Sequence, residues 1–118
     1  MALTVYGIPT CGTVKKARGW LDERGADHGW VDLRATPPAR DRVAAWVDAL
    51  GSKALRNTSG RAYRQLPDDK KTWSDARWVD AFASDPMLIK RPVVERDGVA
   101  VIAGFRASDE VLVALLIA

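Results

Sequence analysis

The sequence predicts an α/β fold, a four-stranded mixed sheet flanked by helices with a helical insertion, and three observations predict it. The first third reads strand, helix, strand, the pattern of a βαβ unit with parallel strands. A helical stretch punctuated by Gly and Pro occupies the middle, about 36–86. The last part reads as two strands joined by Asp97-Gly98, a strong hairpin signal, and a closing helix.

Each element has a local reason. Ala2 to Tyr6 is the first strand, a β-branched and apolar run that Gly7 and Pro9 break. Val14, Ala17, Trp20 and Leu21 then recur at helical spacing, so a helix runs from about Thr13 to Arg24 with Gly25 as its stop. His28 to Leu33 reads as the second strand. Thr36-Pro-Pro leads into a helix from about Ala39 to Leu50, capped by Thr36 or an early residue and ended by Gly51. Val43, Trp46, Val47 and Leu50 share one face of it. Residues 51–71 are polar and glycine-bearing, with short helical pieces expected around Ala54 to Asn57 and Arg61 to Leu66. Ser74 caps a helix to about Ser84 that turns Trp78, Val79 and Phe82 inward. Val93 to Arg96 and Val99 to Ile102 form the hairpin, and Ser108 caps a last helix through about Ile117. This order is a thioredoxin-like plan in a single domain, 1–118, because the middle segment is too short to be a domain of its own.

Bulk properties narrow the function. The chain has 118 residues, 47% hydrophobic and 28% charged, which is ordinary for a globular protein. One cysteine excludes an internal disulfide framework and a cysteine-based zinc site. No secretory signal or membrane-spanning run is apparent, so a cytoplasmic, reducing location is expected. A net charge of +3 suits a small anionic ligand and does not indicate nucleic acid. The five tryptophans sit mostly at amphipathic positions and are expected in the core. There is no glycine-rich phosphate loop, no metal-ligand spacing and no Ser/His/Asp set. A monomer is expected.

The chemistry converges on Cys11. A lone cysteine in a small domain is usually a small buried hydrophobe. Here turn residues flank it and the pattern switches from strand to helix at it, which leaves it at a helix N-terminus. Unpaired backbone N–H groups and the positive end of the helix dipole collect there. Lys15 and Lys16 add positive charge one turn on. That setting favours the thiolate, the reactive form of the side chain.

Three stretches carry a family resemblance: Tyr6-Gly-Ile-Pro-Thr-Cys-Gly-Thr-Val-Lys-Lys-Ala-Arg18, Leu88-Ile-Lys-Arg-Pro-Val-Val94 and Gly104-Phe-Arg106. Together they resemble the arsenate reductase (ArsC)/Spx superfamily, and most nearly its YffB-type branch, whose opening and Asn-Thr-x-Gly segment are similar. The resemblance implies that Cys11 is a redox nucleophile. It implies a cis-proline at Pro92, which would offer the backbone beside Arg91 to an extended ligand such as glutathione. Arg91 and Arg106 match arginines around the arsenate reductase thiol, where guanidinium forks suit an oxyanion or carboxylate. Thr10, Gly12, Thr13 and Lys15 complete the substrate-binding candidates beside the cysteine. A further family arginine falls where this chain has Ser59, and Arg56 or Arg61 is the expected neighbour to supply that charge.

The chain also departs from its family. Spx-type regulators often carry a second cysteine where this chain has Val14, so an internal disulfide switch is closed to it. Arsenate reductases have a histidine and a serine where this chain has Gly7 and Val14. His28, the only histidine, matches no family histidine, and a structural or solvent-exposed role is expected for it. The implied function is a glutathione-dependent thiol reductase with a single redox-active cysteine, and arsenate reduction as its closest variant. No cofactor is bound in this reading. Glutathione is the co-substrate, with glutaredoxin as a further partner. The alternative is an Spx-like regulator that binds RNA polymerase without catalysis.

Overall fold

The computed structural model describes residues 2–118. The expected architecture is present: a four-stranded sheet of order β2-β1-β3-β4. Its strands are β1 (Leu3–Gly7), β2 (His28–Asp32), β3 (Val93–Arg96) and β4 (Val99–Ala103). β1 pairs parallel with β2 and antiparallel with β3, so the first strand of the chain is central in the sheet. The hairpin of β3 and β4 turns through Asp97 and Gly98, both at positive φ (53° and 82°), the backbone twist a two-residue hairpin loop requires.

Helix α1 (Gly12–Glu23) links the parallel strands. It closes as expected at Gly25, whose φ of 64° lets the Gly25 and Ala26 amides donate to the Asp22 and Leu21 carbonyls. Helices α2 (Arg40–Leu50), α3 (Ser52–Leu55), α4 (Arg61–Arg64) and α5 (Asp75–Ser84) fill the middle, and α6 (Asp109–Leu116) ends the chain. Ser74 and Ser108 cap α5 and α6, accepting from the Arg77 and Val111 amides at 3.2 and 3.3 Å. None of the described helices is long and apolar enough to cross a membrane.

Strand alternation divides the core into two layers. Leu3, Val5 and Val94 face Ala17, Leu21, Leu112 and Leu116 of α1 and α6. Tyr6 and Val93 face Val43, Trp46, Trp78 and Phe82 of α2 and α5. Of the five tryptophans, Trp20, Trp46 and Trp78 are buried as expected. Trp30 and Trp73 are half-buried, each beneath a guanidinium, Arg18 at 4.4 Å and Arg77 at 4.2 Å.

Several boundaries differ from the expectation. Thr36 does not cap α2: the helix begins only at Arg40, past Pro37 and Pro38, and Ala39 takes the cap position with no side-chain bond. The helical piece expected around Ala54 to Asn57 begins at Ser52 instead, because Gly51 at φ 83° turns the chain at once. It stops where Arg56 goes extended and pairs with Ile89. Arg61–Arg64 is helical, but Gln65 and Leu66 are not. Two 3-10 turns, Asp68–Thr72 and Pro86–Leu88, were not expected.

Candidate active site

β1 ends at Gly7, and a turn through Ile8–Thr10 brings the Cys11 amide to the Ile8 carbonyl at 3.2 Å. Cys11 is the N-cap of α1 with φ −81° and ψ 122°, and its carbonyl accepts from the Lys15 amide. The helix therefore opens at the half-buried sulfur, where its first amides have no carbonyl a turn behind them. This is the position the strand-to-helix switch predicted.

Cys11 and Thr13 form one wall of a cavity of about 280 Å³. Lys90, Arg91 and Arg106 supply its charge, and no carboxylate lines it. Asn57, Ser59, Gly60, Gly104 and Phe105 complete it. Four separate stretches of sequence thus meet here.

Local structure explains how each is held. The Arg91–Pro92 peptide is cis, as the resemblance implied. Pro92 is buried, and its carbonyl accepts from the amide of Gly104, a cavity residue, at 2.8 Å. Arg91 is half-buried. Its Nη1 donates to the Met87 and Ile89 carbonyls at 3.3 and 3.2 Å, and its Nε has no partner among the described residues. Arg106 is exposed and forms no ion pair among them. The Lys90 amide donates to the Leu55 carbonyl at 2.8 Å, and its side-chain stem lies on Gly104, which sits at φ 79°. The Asn57 amide donates to the Leu88 carbonyl at 2.9 Å, and Ser59 Oγ donates to Asn57 Oδ1 at 3.4 Å. Gly60 packs so tightly on Asn57 that an added Cβ would lie 2.6 Å from Nδ2.

The structure thus brings together Cys11, Thr13, Arg91 and Arg106, while Pro92 is buried and does not line the cavity. Thr10, Gly12 and Lys15 are exposed beside the cysteine but do not line the cavity. Arg56 and Arg61 do not line it either. Arg56 lies 4.3 Å over the Trp78 ring and donates from Nη2 to Ser52 Oγ at 2.8 Å, while Arg61 opens α4 in solvent. Neither brings charge to the cavity at Ser59. Lys90, Asn57 and Gly60 were not singled out as site residues, although all three lie within or beside the stretches that carried the resemblance. His28 is far along the chain from the cavity lining. Its Nε2 accepts from Arg18 Nε at 3.3 Å and its Nδ1 faces the Ala26 carbonyl at 3.1 Å.

One buried polar cluster anchors β1 next to the site. The Glu95 carboxylate, 3% exposed, accepts from Tyr6 Oη at 2.9 Å, Trp46 Nε1 at 2.8 Å and Arg42 Nη1 at 3.0 Å. Burial, followed by the Glu95 hydrogen bond and charge, pushes the Tyr6 hydroxyl up to about 12. The hydrogen bond to Glu95 likewise raises the Arg42 guanidinium above its ordinary value.

With the geometry in view, known proteins bear on it. The ArsC family profile matches residues 6–112. YusI of Bacillus subtilis (strain 168), described as uncharacterized, is 38% identical over 110 residues, covering 90% of this chain and 92% of its own. The solved structure of a YFFB protein has a TM-score of 0.85 at 31% identity, over 98% of this chain and 99% of its own. A possible arsenate reductase from Streptococcus mutans UA159 has a TM-score of 0.82 at 36% identity, over 93% and 96%. More distant relatives are named arsenate reductase (Escherichia coli strain K12, 28% identical over 78% of this chain and 67% of its own) and global transcriptional regulator Spx (Streptococcus pyogenes serotype M1, 24% over 78% and 70%).

Proposed function

Because the chain belongs to the ArsC family, we propose that it is a glutathione-dependent thiol reductase working through Cys11 alone. The cavity carries this reading: the only sulfur of a cysteine in the chain shares it with Lys90, Arg91 and Arg106, and no carboxylate lines it. Three cations beside a helix N-terminus suit a ligand that bears carboxylates and stabilise negative charge on sulfur as it develops.

In the reaction, the Cys11 thiolate attacks one sulfur of an oxidised substrate. A Cys11–substrate disulfide forms as the old S–S bond breaks, and the leaving thiolate takes the electron pair. A glutathione thiolate then attacks the mixed disulfide, Cys11 leaves as thiolate, and the substrate half departs as a glutathione disulfide. An outside thiol is required because the chain has no second cysteine. A reducing, glutathione-rich compartment such as the cytoplasm fits that need. Arsenate reduction is the closest variant, using the same nucleophile and cations with glutathione or glutaredoxin to restore the thiol.

A second reading, partner binding of the kind the Spx relatives' name suggests, with RNA polymerase as the partner, is favoured by one observation. Where a polar pair would assist the thiol, Gly7 and Val14 pack together instead. Intact-mass measurement after exposure to glutathione disulfide separates the two readings. The reductase reading expects one adduct, removed by glutathione, absent in Cys11→Ser and formed severalfold more slowly in Arg106→Ala. A folded protein that takes no adduct overturns it and leaves partner binding, which Cys11→Ser would preserve.

A further inference from the structure

Asn57 and Ser59 line the cysteine cavity, whereas Arg56 and Thr58, from the same turn-forming stretch, do not. Arg56 and Thr58 line a second concavity of about 470 Å³ with Lys53 from α3, Tyr63 from α4 and Lys71 from the 3-10 turn. We propose that this concavity binds a small, multiply charged oxyanion of the phosphate class, independently of the Cys11 site.

Charge is the first argument. Three of the five lining residues are cations and none is acidic. Lys53, Arg56 and Lys71 have no carboxylate within ion-pair distance among the described residues. Residues 51–71 hold six Lys and Arg against two Asp, whereas the whole chain is only +3, so the remainder is slightly acidic and the field gathers anions here. Cations brought together without counter-charge repel one another, and an anion between them relieves that repulsion.

Preorganisation is the second. Arg56 lies over the Trp78 ring and is tied to the buried Ser52 hydroxyl, and its buried Nε has no partner in the protein among the described residues. Trp78 in turn stacks on Tyr63, with centroids 6.2 Å apart and planes 10° from parallel, which fixes the Tyr63 ring. The Tyr63 and Thr58 hydroxyls make no hydrogen bond among the described residues and remain available as donors. A fixed guanidinium, two lysines and two hydroxyls match the oxygens of phosphate or pyrophosphate better than a single carboxylate, which would leave two cations uncompensated. A nucleic-acid strand fits less well, because Trp78 and Tyr63 are buried and offer no open ring on which bases could stack.

The test is an amide NMR titration of the whole ¹⁵N-labelled chain with inorganic pyrophosphate. We expect saturable shifts at Lys53, Arg56, Thr58 and Lys71. Affinity should fall about tenfold in Lys53→Gln/Lys71→Gln, whose two sites are exposed, and stay unchanged in Arg106→Ala. Lys71→Gln alone, expected to weaken binding severalfold, carries the test if the double variant does not fold. Shifts confined to Cys11, Thr13 and Gly104, shifts that the lysine variants retain in full, or an absence of saturation each overturn the proposal. Binding of a single-stranded oligonucleotide with no response to pyrophosphate overturns it as well.

Discussion

Gly7 and Val14 are fitted to each other: a Cβ added to Gly7 would lie 2.6 Å from Val14 Cγ2 and 3.0 Å from Cγ1. Val14 is 1% exposed, so it has nowhere to retreat. These are two of the positions at which the sequence departs from the arsenate reductase pattern it resembles, and their contact makes these two departures one packing solution. Gly7→Ala should cost about 1–3 kcal/mol, the range for overpacking a filled core. Val14→Ala in the same chain should restore part of that loss, giving a coupling of about 1 kcal/mol in a double-mutant cycle. Urea unfolding of the four proteins measures it, and strict additivity would show that Gly7 is needed for some other reason.

The Glu95 cluster makes a prediction about which partner matters. Glu95→Ala leaves the buried Trp46 N–H without its acceptor and should cost about 2–3 kcal/mol. Arg42→Ala removes a half-exposed cation while Tyr6 and Trp46 still donate to the carboxylate, and should cost only about 1 kcal/mol, less at high salt. Denaturation midpoints at two salt concentrations check both values.

Tyr6 adds a pH dependence with a definite sign. Its hydroxyl is raised from the ordinary 10 to about 12, so the unfolded chain releases this proton first as pH climbs. The contribution is complete below about pH 10 and is lost as pH rises through about 12. Unfolding free energy should therefore fall more steeply above pH 10 in the wild type than in Tyr6→Phe. Parallel slopes would show that the hydroxyl contributes nothing.

Gly104 separates backbone strain from charge. At φ 79°, with an added Cβ only 2.9 Å from Lys90 Cε, Gly104→Ala should cost about 1–2 kcal/mol and displace the lysine stem. Lys90→Ala should leave stability nearly unchanged while slowing glutathione adduct formation at Cys11 severalfold. If thermal unfolding and adduct rate fall together in both variants, Lys90 is structural.

How much of this was legible in the sequence varies with how local the cause is. The helix that begins at Cys11, its stop at Gly25, the Asp97-Gly98 turn and the Ser74 and Ser108 caps each depend on a few neighbouring residues, and each was read correctly. Arg91, Pro92 and Arg106 could be matched by motif. Lys90 escaped notice because its place in the cavity depends on Gly104, fourteen positions away in the sequence. Arg56 looked like a substitute cation for Ser59 because both lie in one short segment. Arg56 pairs with Ile89 and the chain turns at Thr58 and Ser59, so the two side chains line different concavities, and that pairing is made with a partner 33 positions away in the sequence. Nothing in Val93–Arg96 announces that Glu95 is buried, since its three donors come from β1 and α2.

The central place of β1 has a consequence in time. Its thiol-bearing end leaves the ribosome before β3, its antiparallel neighbour, and 95 residues before Arg106. At typical rates of about 5–20 residues per second, the newborn cysteine waits roughly 5–20 s before its last cation has been synthesised. Under the proposed reductase function, pulse-labelling of nascent chains with glutathione disulfide is expected to find the Cys11 adduct only on chains long enough to include Arg106.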